Sequence, residues 1–337
     1  MSTNVNATTN ATQDSSCFDS TATRTRETTV LCALFVASLV GNICIGLVVC
    51  KTKTLRKPII FFIVNMAMSD LLFPVFLLPR ILTRLYVDTW LIKGPLGEAM
   101  CKIVSYSIEM SALVSIQSLV LVAVDRFVAV VYPLRSPLIS SKLCCFFILA
   151  TWIISLAIKS PDLFAWKLVE NRNGLACRLR WKEAFGESLP FKSYMLALIV
   201  IFWYIPLVLI AILFITIENK FNSHETPGEQ TLNVGIQRLK RERNVSKMSV
   251  AVVLVFTVCW LPATIRMLLS LYSSDNIMIS FCSFQYFEQI AYFLAQSNCA
   301  INPYISFIFS GNYREGLKSL LSCLYRSNRL EPLPKLN

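Results

Sequence analysis

The chain has 337 residues, of which 55% are hydrophobic and only 15% charged, and its formal net charge is +12. This composition is typical of polytopic membrane proteins and excludes an ordinary soluble domain. Membrane topology and anionic lipid account for the basic excess, and the absence of a soluble basic domain excludes a nucleic-acid partner. Seven apolar runs predict membrane-crossing helices, called spans 1 to 7: residues 29–50, 58–83, 101–125, 143–164, 192–217, 247–272 and 283–310.

The positions of lysine and arginine orient these spans. Basic clusters follow span 1, separate spans 5 and 6 and follow span 7, which places those segments in the cytosol. The loop between spans 4 and 5 is also basic, yet the balance places the N-terminus outside. We predict a plasma-membrane protein with an extracellular tail (1–27), a seven-span bundle (28–310), an amphipathic helix (311–325) and a cytoplasmic tail (326–337).

The two terminal regions carry candidate modification sites. The N-terminal tail lacks the apolar core of a cleavable signal peptide, so span 1 is expected to act as the signal-anchor. Asn6 and Asn10 begin Asn-x-Thr sequons, although such tripeptides also occur by chance in a Thr-rich tail. Cys323 lies in the predicted amphipathic helix and is a candidate for palmitoylation, with a plain surface thiol as the alternative. The apolar face of that helix contains Tyr313, Leu317, Leu320, Leu321 and Leu324.

Four of the twelve cysteines fall on the predicted outside, where disulfides persist: Cys17, Cys101, Cys177 and Cys282. A Cys101–Cys177 bond would tether the loop between spans 4 and 5 to the top of span 3. Cys17–Cys282 would then be a second bond, but four cysteines permit three pairings and the sequence alone does not choose between them. The loop from Phe164 to Pro190 is long enough to form a β-hairpin lid.

Each span carries a polar, aromatic or proline motif, in the order Gly41-Asn42, Asn65 to Asp70, Asp125-Arg126-Phe127, Trp152, Pro206, Phe256 to Pro262, and Asn298 with Asn302-Pro303. This order and spacing resemble the rhodopsin-like (class A) G-protein-coupled receptors over roughly residues 28–325, most of all the neuropeptide receptors. The resemblance implies an all-α membrane protein, namely a seven-transmembrane bundle with a short amphipathic eighth helix. It also implies a heterotrimeric G protein as partner.

Asp70 lies in the middle of span 2, where an unpaired carboxylate costs about 3 kcal/mol. Asp70 therefore needs partners. The resemblance implies an allosteric sodium ion held by Asp70, Ser115, Asn298 and Asn302, with Trp260 lining the site. Oxygen ligands suit such a hard cation. The alternative is a hydrogen-bonded cluster with water and no ion; no other cofactor is expected.

The inner end of span 3 carries Asp125 and Arg126. The resemblance implies that Arg126 pairs with Glu242 of span 6 in the inactive bundle, and that separation of the two helices frees Arg126 for the G protein. Leu134 is then expected to fill a pocket on the Gα subunit. In the alternative interpretation, Glu242 pairs only with basic residues on its own helix, and such exposed pairs contribute well under 1 kcal/mol.

Prolines and aromatic residues predict where the bundle can bend. Pro206, Pro262 and Pro303 each remove a helix hydrogen bond and are candidate hinges. Phe256 and Trp260 lie four residues apart on one face of span 6. The resemblance implies that they form a toggle beneath the ligand, although aromatic packing in a membrane core is ordinary.

Two positions depart from the family pattern. Ser306 replaces the tyrosine expected three residues after Pro303, and Phe214 replaces the inward tyrosine of span 5. The hydroxyl contact that those tyrosines make in relatives cannot form, and Tyr304 lies about 200° away around the helix. We therefore expect an active state that is held differently or more weakly.

Residues in the outer half of the bundle indicate which class of ligand the protein binds. Ile108 stands where amine receptors of the family carry an aspartate, which disfavours an amine. The candidate ligand contacts, which include charges of both signs, are Arg80, Arg84, Ile108, Glu109, Arg266, Glu288 and Tyr292. Mixed charge favours a peptide, with Glu109 or Glu288 facing an arginine of an amidated peptide. The alternatives are that several charges only solvate the rim, or that the receptor binds a lipid or nucleotide or is a constitutively active orphan.

The sequence disfavours two other functional classes. An intramembrane enzyme is disfavoured because the chain has one histidine, His224, in a polar loop, which leaves no histidine pair for zinc and no Ser–His dyad in a span. A transporter is disfavoured because no internal repeat is apparent. We therefore expect a receptor and not an enzyme.

Overall fold

A computed structural model describes residues 21–52, 57–87, 89–132, 140–171, 174–223, 233–272 and 282–329. The helices are α1 (Thr21–Lys51), α2 (Pro58–Tyr86), α3 (Gly94–Val131), α4 (Ser141–Ala165), α5 (Trp181–Phe185), α6 (Phe191–Ile199), α7 (Ile205–Ser223), α8 (Asn233–Tyr272), α9 (Cys282–Phe309) and α10 (Gly311–Arg329). Helices α1 to α4 are spans 1 to 4. Span 5 consists of α6, a π-helical turn (Val200–Tyr204) and α7, while α8 and α9 are spans 6 and 7.

Each predicted span coincides with a helix, and several helices extend beyond the apolar run. Helix α1 begins at Thr21 and α8 at Asn233, well before the apolar runs begin at residues 29 and 247. Apolar runs mark only the part of a helix that crosses hydrocarbon, whereas the helix continues into water until a residue breaks it. Six of these helices are long and apolar enough to cross a membrane. Span 7 is the more polar seventh helix and packs against spans 1, 2 and 6.

A buried asparagine joins spans 2, 3 and 4. The Asn65 amide donates to Ser118 Oγ (2.9 Å) and Thr151 Oγ1 (3.2 Å), and the Trp152 indole donates to Asn65 Oδ1 (2.8 Å). Buried polar groups need such partners because an unsatisfied one is costly in an apolar core. This network places span 4 against span 3, which matters for the charged residues at the far end of span 4.

A hairpin covers one end of the bundle, as predicted. Strand β1 (Trp166–Asn171) pairs antiparallel with β2 (Gly174–Leu179), and the Cys101–Cys177 disulfide attaches β2 to span 3. The Trp90 backbone N–H donates to the Leu175 carbonyl (2.7 Å), so the loop after span 2 holds the same hairpin. We call this the outer end and the end that carries Arg126 the inner end.

Helix α10 packs along the inner end against span 1. Tyr313 is fully buried and lies edge-on to Phe307, with ring centroids 6.0 Å apart. Gly316 permits the close approach, because a Cβ atom there would lie 2.5 Å from Val48 Cγ1. Cys323 is exposed, and its palmitoylation stays a prediction.

Candidate functional site

An arginine of span 2 contacts an aromatic ring of the disulfide-anchored hairpin. The Arg80 guanidinium lies over the Trp166 ring, 5.1 Å from its centroid, and donates to Ser105 Oγ of span 3 (3.0 Å). Arg80 therefore stabilises the lid and is not only a rim charge. The side chain of its predicted companion Arg84 lies outside the described residues. Cys282 also forms a disulfide, but its expected partner Cys17 lies outside them too.

Spans 6 and 7 share a charged cluster at the outer end. Arg266 pairs with Glu288 (3.2 Å), and its guanidinium lies over the Tyr292 ring, 4.6 Å from the centroid. The sequence singled out all three residues, and the structure joins them into one group. Glu288 is thus neutralised by a neighbouring span.

A second outer cluster joins spans 3 and 4, and the sequence analysis missed two of its members. Lys159 pairs with Asp162 on its own helix (2.7 Å) and with Glu109 of span 3. The side chains of Lys159 and Asp162 are 2% and 1% exposed, whereas Glu109 is 41% exposed. We call Glu109, Lys159 and Asp162 the outer triad; with two acids and one base it has a net charge of −1. Opposite charges three residues apart in an otherwise apolar span were the signal that could have revealed it.

Ile108, the neighbour of Glu109, is partly buried on span 3. The lysine of the outer triad also faces span 5, since its ammonium lies 5.5 Å from the centroid of the Tyr194 ring. The Tyr194 hydroxyl donates to the Ile158 carbonyl (2.9 Å). Spans 3, 4 and 5 therefore meet around one buried cation.

Three oxygen-bearing side chains, from spans 2, 3 and 7, meet at mid-bundle. Asp70 accepts from Ser115 Oγ (2.8 Å) and from Asn302 Nδ2 (2.9 Å), and Asn298, one helical turn before Asn302 on span 7, is also buried. Among the described residues, Asn298 Oδ1 and Asn302 Oδ1 are buried without a hydrogen-bond partner. Buried acceptors without a donor fit a cation held by oxygen ligands.

A third aromatic ring connects the predicted pair in span 6. Phe256 and Trp260 are tilted rather than stacked, with centroids 6.3 Å apart. Trp203 of span 5 stacks on Phe256 (5.0 Å) and meets Trp260 edge-on (5.2 Å). Trp203 lies in the π-helical turn that precedes Pro206, and sequence reasoning missed it because a π turn changes the rotation of the helix. Pro262 and Pro303 lie inside their helices, and their role as hinges stays a prediction.

Arg126 has two acidic partners at the inner end. Its guanidinium contacts Asp125 Oδ2 (2.6 Å) and Glu242 Oε2 (2.7 Å), and its side chain is 9% exposed. We call these three residues the inner triad. The geometry favours the pair between spans 3 and 6 over a local pair on span 6. Leu134 lies outside the described residues, as do Asn6 and Asn10.

The two departures from the family pattern face different ways. The Ser306 hydroxyl is buried and donates to the Asn302 carbonyl of its own helix (3.2 Å). Phe214 faces a cleft between spans 5 and 6. Tyr304 is exposed and donates to the Ala37 carbonyl of span 1 (3.2 Å), so it does not replace the missing hydroxyl.

Comparisons with known proteins agree with this arrangement. The sequence model of the 7 transmembrane receptor (rhodopsin family) matches residues 41–305. The chain is 29% identical to a QRFP-like peptide receptor of Branchiostoma floridae, over 89% of this chain and 77% of the relative. It is 28% identical to the RYamide receptor of Drosophila melanogaster (86% and 61%) and to neuropeptide FF receptor 1 of Rattus norvegicus (85% and 68%). The match thus spans about three fifths of the Drosophila relative.

Proposed function

Because the chain belongs to the rhodopsin family of seven-transmembrane, G-protein-coupled receptors, we propose that its ligand is an extracellular peptide with an amidated C-terminus and an arginine side chain. The chain is a multi-pass membrane receptor and not an enzyme, as the sequence predicted. The names of the relatives support a peptide, and one of them names an amidated peptide. The proposed location is the plasma membrane with the N-terminus outside, in line with the basic inner loops.

The observation that carries the proposal is the negative charge of the outer triad. Lys159 holds two acids, so Glu109 can leave it for a ligand cation while Lys159 keeps Asp162. Glu288 differs, because moving to a ligand cation would leave the Arg266 guanidinium without its carboxylate partner. Glu109 is also the more exposed of the two acids (41% against 34%). We therefore assign the ligand arginine to Glu109.

The proposed signal runs from this contact to the inner triad. A ligand shifts a two-state equilibrium only by binding one state more tightly. In the active state, spans 3 and 6 separate at the inner end, Arg126 leaves Glu242, and the guanidinium becomes available to Gα. Trp203, Phe256 and Trp260 connect spans 5 and 6 between the two ends, and Pro262 allows span 6 to pivot there.

We further propose that Asp70, Ser115, Asn298 and Asn302 hold a sodium ion, with Trp260 nearby. The two buried amide oxygens without donors support this assignment. When bound, the ion neutralises Asp70. The protein itself contributes oxygens from spans 2, 3 and 7, so a rearrangement of span 7 about Pro303 would disassemble the site.

The proposal is tested by G-protein activation in cells, measured by energy transfer across a panel of amidated and free-acid peptides. Glu109→Gln is expected to weaken an arginine-containing agonist about 10-fold or more, since a hydrogen bond to a charged group contributes about 1.5–3 kcal/mol. The same peptide with citrulline in place of arginine should activate the wild type and Glu109→Gln equally. Glu98→Gln is the matched control, because Glu98 is an exposed acid of the same helix that pairs with Lys102 on the surface.

An equal loss for the arginine and citrulline peptides in Glu109→Gln would refute the assigned contact. No response to any peptide from a receptor shown to be at the cell surface would favour a non-peptide ligand.

A further inference from the structure

A cleft of about 270 Å³ opens between the inner halves of spans 5 and 6. It lies away from the outer triad and from the Asp70 cluster. Its size approaches the lower limit of small-molecule sites, about 300 Å³. The cleft is therefore large enough to accept part of a ligand.

The walls of the cleft are apolar. Phe214 and Ile217 of span 5 face Val250, Ala251 and Leu254 of span 6. Phe214 stands where a tyrosine was expected, so this wall carries no hydroxyl. Leu254 is 60% exposed on the side that faces hydrocarbon in a membrane. A hydrocarbon chain fits these walls better than a hydrated ion does.

One end of the cleft is basic. Among the described residues that line this end, Arg243 and Lys247 are basic and Glu218 is acidic, which leaves a net charge of +1. Arg243 and Glu218 are 3.8 Å apart, near the limit for an ion pair. Lys247 is exposed and has no ion-pair partner in the part of the chain that the structure describes. This charge is complementary to a single phosphate.

A buried hydroxyl also lines the cleft. Ser246 is 5% exposed, and no residue described by the structure forms a hydrogen bond with its Oγ atom. Three residues further on, the Ser249 hydroxyl donates to the Val245 carbonyl (3.0 Å), which is the usual arrangement for a serine in a helix. A buried hydroxyl left without a partner is rare and points to a ligand oxygen.

We propose that the cleft binds an anionic phospholipid of the inner leaflet. The phosphate contacts Arg243 and Lys247, an ester or glycerol oxygen accepts from Ser246, and one acyl chain lies between Phe214 and Leu254. Basic side chains at the inner membrane surface attract anionic lipid, and the apolar walls distinguish a lipid from a free phosphate. The assignment to the inner leaflet rests on the proposed orientation of the receptor. The lipid site itself does not depend on that orientation.

Native mass spectrometry of the purified full-length receptor tests this site. Dioleoyl phosphatidylglycerol is expected to bind about fivefold more tightly than dioleoyl phosphatidylcholine, and Arg243→Gln/Lys247→Gln should remove that preference. Ser246→Val should weaken binding roughly threefold through the lost hydrogen bond. Ala251→Phe keeps every charge but fills the cleft, so it should also lose the anionic lipid.

Lys51→Gln/Lys318→Gln is the matched control, because it removes two exposed inner charges from span 1 and α10 and should retain wild-type binding. Lipid binding is compared only among variants whose melting temperature equals that of the wild type. An equal loss in the control, or unchanged binding in Ala251→Phe, would overturn the proposal. Equal affinity for glycerophosphoglycerol, which lacks acyl chains, would identify a free-phosphate site and also overturn it.

Discussion

The two ends of the bundle hold triads of the same composition, one buried base and two acids, but the contacts around them differ. The outer triad links spans 3 and 4, which are also joined by Gln117 with Ser155 (2.9 Å) and by the Tyr106 hydroxyl with the Leu156 carbonyl (2.8 Å). Among the described residues, spans 3 and 6 have one polar link, from Arg126 to Glu242. The outer triad therefore lies at a contact with several polar links, whereas the inner triad holds the link that the proposed activation would break.

The largest effect is expected from Arg126→Ala. This change should abolish agonist-driven G-protein activation and leave surface expression intact, because it removes the group proposed to meet Gα. Activation is measured by energy transfer at matched surface expression. Lys142→Ala, which removes an exposed base near the same end, is the control. Coupling that survives Arg126→Ala would end the assigned role.

Lys159→Met should have the largest effect on stability. It leaves Asp162 buried without its base, and breaking a buried pair in this way costs about 3–5 kcal/mol. Thermal unfolding in detergent measures the loss, and Lys159→Met/Asp162→Asn should recover part of it. Lys182→Met is the control, since Lys182 is 86% exposed. A melting temperature equal to wild type would mean that the outer triad contributes no stability.

Glu242→Ala should have a smaller effect, directed at signalling rather than stability. It removes the link between spans 3 and 6. If that ion pair stabilises the inactive state by about 1 kcal/mol, its loss raises the active fraction about fivefold. Basal G-protein activation without ligand is the measurement, with the exposed Glu315→Ala on α10 as control. An unchanged baseline would favour a Glu242 that pairs only on its own helix.

The smallest effect is expected from sodium at the Asp70 cluster, which lies between the two triads. Replacing sodium chloride with N-methylglucamine chloride should raise basal activation a few-fold in the wild type. Asp70→Asn should abolish this difference, since a neutral amide has no charge for the ion to neutralise. A sodium effect that persists in the variant would leave the hydrogen-bonded cluster as the better description.

Much of the functional architecture followed from residues within single helices. The Asp125-Arg126 pair, the midspan Asp70 and the prolines stand out because charges and helix breakers are costly in an apolar segment. The outer triad did not stand out as a group: Glu109 was predicted as a ligand contact, but its pairing with Lys159 on span 4, and that of Lys159 with Asp162, was not. Trp203 was missed because the π turn rotates it towards span 6.

The sequence by itself determined where the spans lie and where the polar motifs fall along them, because bilayer thickness and the cost of buried charge act on each segment alone. Only the tertiary structure decided which charges pair. Helix rotation and neighbour choice depend on packing between spans, which no single helix encodes. The partners of Glu109 and Glu242 and the lipid-facing cleft beside Phe214 all follow from that packing.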